Sequence, residues 1–212
     1  MMTMTTAKEI AASLLEIGAV HLRPEQPFTW TSGIKSPIYC DNRITMSHPQ
    51  VRRQIARTFA ETIRAQFPDA QVVAGTATAG IPHAAWVAEL LDLPMIYVRD
   101  KAKGHGRQNQ IEGALTAGQK VVVIEDLIST GGSSLKAAQA VQAEGGEVLG
   151  VVAIFSYQFP DAEALFADAG IPCTTLSQYT ALLEAASEKG VITSEQEKIL
   201  GEWRKSPRTF FE

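Results

Sequence analysis

Cysteine is scarce: Cys40 and Cys173 are the only two in 212 residues, and they form no C-x-x-C pair. A disulfide-built scaffold is therefore excluded, and the two read as ordinary thiols of the cytoplasm. Positive charge is also short. The formal net charge of −4 leaves no global basic field that would argue for nucleic acid. No apolar run approaches membrane-spanning length, and the N-terminal MMTMTTAKEI has neither a basic leader nor a hydrophobic export core. Internal repeats, low-complexity tracts and linkers are absent too. What remains, 45% hydrophobic and 20% charged residues, is the composition of one globular domain over residues 1–212 with a proper core.

Periodicity sorts the chain into elements. Thr6-Ala7-Lys8-Glu9 has the capping-box pattern, and Ile10, Leu14 and Ile17 continue one face until Gly18, which predicts a helix. Val20 to Leu22 is a short strand candidate. The clearest helix runs from Pro49 to Phe67, with Val51, Ile55, Phe59, Ile63 and Phe67 recurring every four residues. Val72 to Ala74, Pro94 to Val98, Val121 to Ile124 and Val148 to Phe155 read as strands. Helices are expected at Ile81 to Leu91, Pro160 to Asp168, Leu176 to Ser187 and beyond a Thr193-Ser-Glu-Gln196 cap, with Thr174-Thr175 a short edge strand. Strand and helix patterns alternate and the central strands are β-branched. The expected class is α/β, an open and mostly parallel sheet flanked by helices.

The stretch that carries chemistry is VVVIEDLISTGGSS, Val121 to Ser134. Its β-branched run suits a strand buried on both faces, and Glu125 and Asp126 place adjacent carboxylates where that strand should emerge. Ile128 to Ser134 form a hydroxyl- and glycine-rich turn leading into a helical pattern at Leu135, Ala138 and Val141. Ligands of open α/β sheets collect at the carboxyl ends of strands. A small-residue turn opening a helix offers N–H groups and a positive dipole end to a phosphate. Acids beside a phosphate cradle fit a sugar phosphate: the acids take ribose hydroxyls and the turn takes the phosphate. A buried strand and a helix capped by Ser133, with solvated acids, is the plainer reading. It leaves two acids at the strand end beside Thr130-Gly131-Gly132 unexplained.

Three loops add to this. Gly75 and Gly80 have the spacing of a nucleoside-triphosphate loop, but Ile81 and Pro82 stand where its Lys and Ser/Thr belong, which excludes it. The loop still suits a diphosphate approached closely by backbone. Arg99-Asp-Lys-Ala-Lys-Gly-His-Gly-Arg107 carries five basic residues in nine and two glycines. It reads either as a solvated face or as a loop that closes over a polyanion and neutralises a leaving charge. Phe28 to Arg43, rich in aromatic and small residues, reads from composition as a surface hairpin with Tyr39 half buried.

The Val121–Ser134 pattern resembles the 5-phosphoribosyl 1-diphosphate (PRPP) signature of type I phosphoribosyltransferases. Phe28, Thr29, Ser32, Gly33, Ser36 and Pro37 resemble the aromatic-Thr-x-x-Ser-Gly-x-x-Ser-Pro segment of orotate phosphoribosyltransferases, a hood over the base. Arg99, Lys103 and His105 match that family's Arg-x-x-x-Lys-x-His loop, which reaches into the neighbouring subunit's site. The resemblance spans nearly the whole chain. It implies the type I phosphoribosyltransferase fold with a small N-terminal hood, formed mainly by about residues 1–45. It also implies transfer of the phosphoribosyl group from PRPP to orotate, giving orotidine 5′-monophosphate and diphosphate on the de novo route to UMP. PRPP would be held by Arg99, Lys103, His105, Glu125, Asp126, Leu127, Ile128, Ser129, Thr130, Gly131, Gly132 and Ser133, with Lys103, His105 and Asp126 catalytic and Ser129 on orotate. Mg²⁺ would be bound mainly through PRPP, and a homodimer would share its active sites, with neither nucleic acid nor membrane as partner. Thr31, Ala79, Asp100 and Tyr157 depart from residues that members carry at those places. Lys35 or a loop lysine would cover for Thr31, and Lys101 for Asp100. An arginine at Tyr157's place holds the orotate carboxylate in some members. Without it the carboxylate needs another cationic or N–H partner, for which Arg43 is the candidate. The competing readings are a phosphoribosyltransferase for a purine or uracil, or a PRPP-sensing regulator on the same fold.

Overall fold

A computed structural model describes residues 4–30, 33–100 and 110–211. The N-terminal part comprises α1 (Met4–Glu16), β1 (Val20–Leu22), β2 (Phe28–Thr29), β3 (Lys35–Ser36), β4 (Ile38–Cys40) and a 3₁₀ turn (Asn42–Ser47). The alternating part follows as α2 (Pro49–Gln66), β5 (Val72–Thr76), α3 (Gly80–Leu91), β6 (Met95–Val98), β7 (Ile111–Glu112), β8 (Lys120–Ile128), α4 (Gly132–Ala143), β9 (Glu147–Ser156), α5 (Pro160–Asp168), β10 (Cys173–Gln178), α6 (Tyr179–Glu188) and α7 (Ser194–Lys205). Six strands form one sheet in the order β10-β9-β8-β5-β6-β7, parallel except for the short β7. This is the open, mostly parallel α/β sheet expected of a type I phosphoribosyltransferase.

The β-branched runs are explained by two cores, one on each face. In β8, Val122 and Ile124 join the cluster containing α1, α2, α3, α6 and α7, whereas Val121 and Val123 join the one beneath α4 and α5. β9 divides likewise, Val152 and Ile154 against Val151 and Ala153. A strand covered on both sides cannot alternate with polar residues, so the pattern is a continuous apolar run. Near the N-terminus, β1 pairs antiparallel with β4 and β2 with β3, two small ribbons outside the main sheet.

Two elements differ from the sequence-based expectation. α1 begins at Met4, so Thr6 lies inside it and is not its cap. Burial of Ala7, Ile10, Ala11 and Leu14 stabilises the helix, which starts ahead of the Thr6 start signal. Leu176 to Gln178, expected in a helix, extend the Thr174-Thr175 strand, and α6 starts at Tyr179. There, parallel pairing with β9 wins over the helical pattern, and the Ser177 hydroxyl donates to the Ala7 carbonyl at 2.8 Å. The Thr193–Gln196 capping box forms at α7 as its sequence implies.

Gly80 opens α3 against β8, where a Cβ would stand 2.6 Å from the Ile124 carbonyl oxygen. Its smallness lets the helix approach the strand just before Glu125. Gly80→Ala should cost about 1–3 kcal/mol by overpacking and lower the melting temperature by several degrees. Gly201→Ala in α7, with nothing within 4 Å, should be neutral or stabilising by up to about 1 kcal/mol. Thermal unfolding of both variants checks the contrast.

Candidate active site

β8 outruns its neighbour on one side. Pairing with β5 stops at Gly75 opposite Ile124, while pairing with β9 continues through Ile128 opposite Ser156. Glu125 and Asp126 thus sit where the sheet opens. Successive strand residues face opposite ways, and the neighbours differ accordingly. Glu125 turns toward α4: its Oε2 accepts from Ser134 Oγ at 2.9 Å and lies 3.5 Å from Ser133 Oγ. Asp126 feels Arg43 and Asp41 of the N-terminal segment, and its carbonyl accepts from Asn42 Nδ2 at 2.7 Å.

Burial raises both acids above the usual carboxylate range. Glu125, only 4% exposed, is pushed up to about 8, first by desolvation and then by the Asp126 charge. Asp126 is raised too, chiefly by burial. Among the described residues, Arg43 is the basic group that favours ionised Asp126, and its side chain is 61% exposed and forked onto Asp41. The pair is primed to ionise fully only when positive charge arrives beside it.

The turn after β8 leaves the α4 N-terminus open. Gly131, at φ 79°, precedes Gly132 in the helix and supplies no side-chain cap. Its positive φ suits glycine, and a Cβ there would meet Phe166 at 2.9 Å. The Ser133 cap of the plainer reading is therefore not made; Ser133 stands inside the first turn. Uncapped N–H groups on a 12-residue helix form an anion seat.

Two clefts flank this turn. One, of about 700 Å³, is lined by Thr76, Arg99, Gln110, Ser133 and Lys136 among others, and the second, of about 670 Å³, by Trp30, Ile34, Ser129, Phe159 and Arg208. Thr130 lines both. Unlike the second, the first cleft has no aromatic residue in its described lining, and its charged groups are Arg99, Lys136 and Asp100. In it the buried Thr76 hydroxyl has no hydrogen-bond partner among the described residues, so an oxygen-rich ligand would satisfy it. Arg99 stands 3.4 Å from Glu112 at this cleft's rim.

Of the residues predicted from sequence, the structure brings Glu125, Asp126, Ser129 to Ser133 and Arg99 to this one end of the sheet. Leu127 and Ile128 continue β8, with Ile128 in the core. Lys101, Lys103, His105, Thr31 and Ser32 lie outside the described residues. Arg43 gives Nε and Nη2 to Asp41 at 2.6 and 2.8 Å. Tyr157 is 3% exposed, stacked on Phe159 at 5.4 Å and tilted against Trp30 at 5.3 Å, so that place belongs to an aromatic core. Tyr39, expected half buried, is 41% exposed. Sequence reasoning missed Thr76, Lys136, Ser134, Asn42 and the C-terminal tail. Ser134 was readable as the next hydroxyl of the turn and Thr76 as part of the Gly75–Gly80 loop; the others carry no local signal.

Metal-ion chemistry is constrained by the donors present. Among the described residues no three His, Cys, Asp or Glu converge as ligands. Glu125 and Asp126 supply carboxylate oxygens, suited to a hard cation whose remaining positions are filled by substrate oxygens and water.

A profile of the phosphoribosyl transferase domain matches residues 46–164, beginning just after the segment assigned to the hood. Orotate phosphoribosyltransferase of Enterococcus faecalis is 58% identical over 204 residues, covering 96% of this chain and 97% of that protein. Among solved structures, orotate phosphoribosyltransferase of Aeropyrum pernix superposes with a TM-score of 0.75 at 28% identity, covering 87% of this chain and 99% of the other. The Mycobacterium tuberculosis enzyme in complex with PRPP matches with a TM-score of 0.64 at 29% identity, over 84% of this chain and 98% of that one. Identity at this level over nearly the full length, on a sheet that ends in the acidic pair and open phosphate turn, makes the chain a member of the orotate phosphoribosyltransferases.

Proposed function

We infer that the chain transfers the 5-phosphoribosyl group of PRPP to orotate, releasing diphosphate and orotidine 5′-monophosphate for de novo pyrimidine synthesis. The observation that carries the division of labour is Glu125, a buried carboxylate held by Ser134 beside the uncapped start of α4. The anomeric C–O bond breaks, its electrons leave with diphosphate, the ring nitrogen of orotate bonds to the anomeric carbon, and the proton of that ring N–H is released to diphosphate or water. Positive charge grows on the ribose as negative charge grows on the leaving group. Glu125 and Asp126 take the ribose hydroxyls and stabilise the cationic sugar, an interaction strongest in the transition state. N–H groups of Thr130 to Ser133 seat the 5′-phosphate, and Ser129 contacts orotate. Arg99, Lys103 and His105 neutralise the diphosphate, with Lys103 and His105 contributed across a homodimer as the resemblance implies. Mg²⁺ would be bound mainly through PRPP's own oxygens, with the Glu125 and Asp126 carboxylates nearby, and when bound would supply charge neutralisation. Both cysteines are free thiols, in keeping with a cytoplasmic enzyme. Incubation with PRPP, Mg²⁺ and orotate should bleach orotate's ultraviolet band; turnover of adenine or uracil instead would overturn the base assignment.

Glu125 is held near 8 in the folded chain against an ordinary value of 4.5, so the folded state binds the extra proton between those limits. Folding stability should therefore fall as pH rises from about 4.5 to about 8. Glu125→Gln should remove that loss, melting higher than the parent at pH 9 but not at pH 5, while PRPP turnover collapses. In the parent, kcat/KM for PRPP should rise with pH toward a midpoint near 8. Lys103→Ala should lower turnover roughly a hundredfold or more, the cost of one preorganised donor at about 3 kcal/mol. Unchanged turnover in steady-state assays would remove Lys103 from the diphosphate.

A further inference from the structure

Orotate carries a ring carboxylate, and the place where some family members carry an arginine for it is the buried Tyr157. We propose that Arg208, on the C-terminal tail, is the cationic partner of that carboxylate. The inference rests on the orotate reading above and names the residue that makes it specific.

The cleft on the Ser129 side of the turn has the shape and chemistry of a base site. Trp30, Ile34 and Phe159 give it apolar and aromatic walls, while Ser129 and Thr130 form the side nearest the acidic pair. A flat heterocycle entering here presents one face to rings and its edge to hydroxyls. Three charged side chains line the same cleft: Asp161, Lys205 and Arg208. Asp161 repels a carboxylate. Lys205 is engaged by Glu202 at 2.7 Å, one helical turn back on α7. Arg208 is exposed, and its guanidinium has no partner among the described residues. A planar fork without a partner, at the mouth of an aromatic slot, is suited to bidentate recognition of a planar carboxylate.

The tail is held there by construction. Trp203, fully buried in α7, donates its indole N–H to the Lys35 carbonyl at 3.2 Å and packs edge-on to Trp30 and Phe159. α7 therefore pins the β2–β3 ribbon, and the chain leaving it turns back over the cleft. There Thr209 and Phe210 N–H groups bond the Ser206 carbonyl, and Phe211 packs on the main core. Arg43 is the alternative. Its two donors to Asp41 must be given up before it can fork onto a substrate, and it lines neither of the two clefts that flank the turn.

Steady-state kinetics of the full chain with PRPP, Mg²⁺ and orotate form the first arm; a parent enzyme that does not consume orotate defeats the reaction assignment, whatever Arg208 does. With the parent active, Arg208→Ala should raise KM for orotate about tenfold or more, with KM for PRPP and the melting temperature unchanged. Arg208→Lys should recover part of the loss. Inhibition by orotate's neutral carboxamide should weaken little in Arg208→Ala, so the variant loses the preference for a charged ring substituent. An orotate KM within twofold of the parent would overturn the proposal. So would equal weakening of orotate and its carboxamide, or a larger orotate-specific loss in Arg43→Ala.

Discussion

Two carboxylates held out of water at the end of β8 constrain everything around them. Removing such groups from solvent is costly unless a partner compensates. Among the described residues the compensation is partial: the Ser134 and Ser133 hydroxyls and one backbone N–H serve Glu125, and Asn42 holds the backbone carbonyl of Asp126. In the proposed reaction the cationic sugar would complete it.

That arrangement needs rigid support, which the sheet provides. β9 holds β8 through the acidic residues, α3 presses on it through Gly80, and α4 delivers Ser134. The same turn that positions Ser134 exposes the start of α4 to a phosphate. One short segment of chain therefore presents hydrogen-bond acceptors to hydroxyls on one side and donors to an anion on the other. Of the clefts beside it, one has aromatic walls and the other none, and Thr130 lines both. In the proposed reaction the base would enter the aromatic cleft and the diphosphate the other.

The N-terminal ribbons and the C-terminal helix meet above the base cleft through Trp30, Phe159 and Trp203. Their packing converts an irregular hood into part of the core, so substrate selectivity is tied to fold stability. Tyr157 belongs to that packing. Its ring sustains the wall, leaving the charge to be supplied from elsewhere on the rim.

Much of this was legible in the residue order because it is local. β-branched runs announce strands covered on both faces, four-residue recurrence announces α2, and acids followed by Ser-Thr-Gly-Gly-Ser specify the site where strand becomes helix. Each depends on neighbours a few positions apart, and the strands and α2 form where these patterns put them. Tertiary contact alone decided the rest. Leu176 became strand because β9 lay beside it, Glu125 became a raised acid because α4 and Asp126 exclude water from it, and Arg208 reached Ser129's cleft because Trp203 docks on Lys35. Burial, electrostatic coupling and long-range docking are properties of surfaces assembled from distant parts of the chain, and no window of sequence contains them.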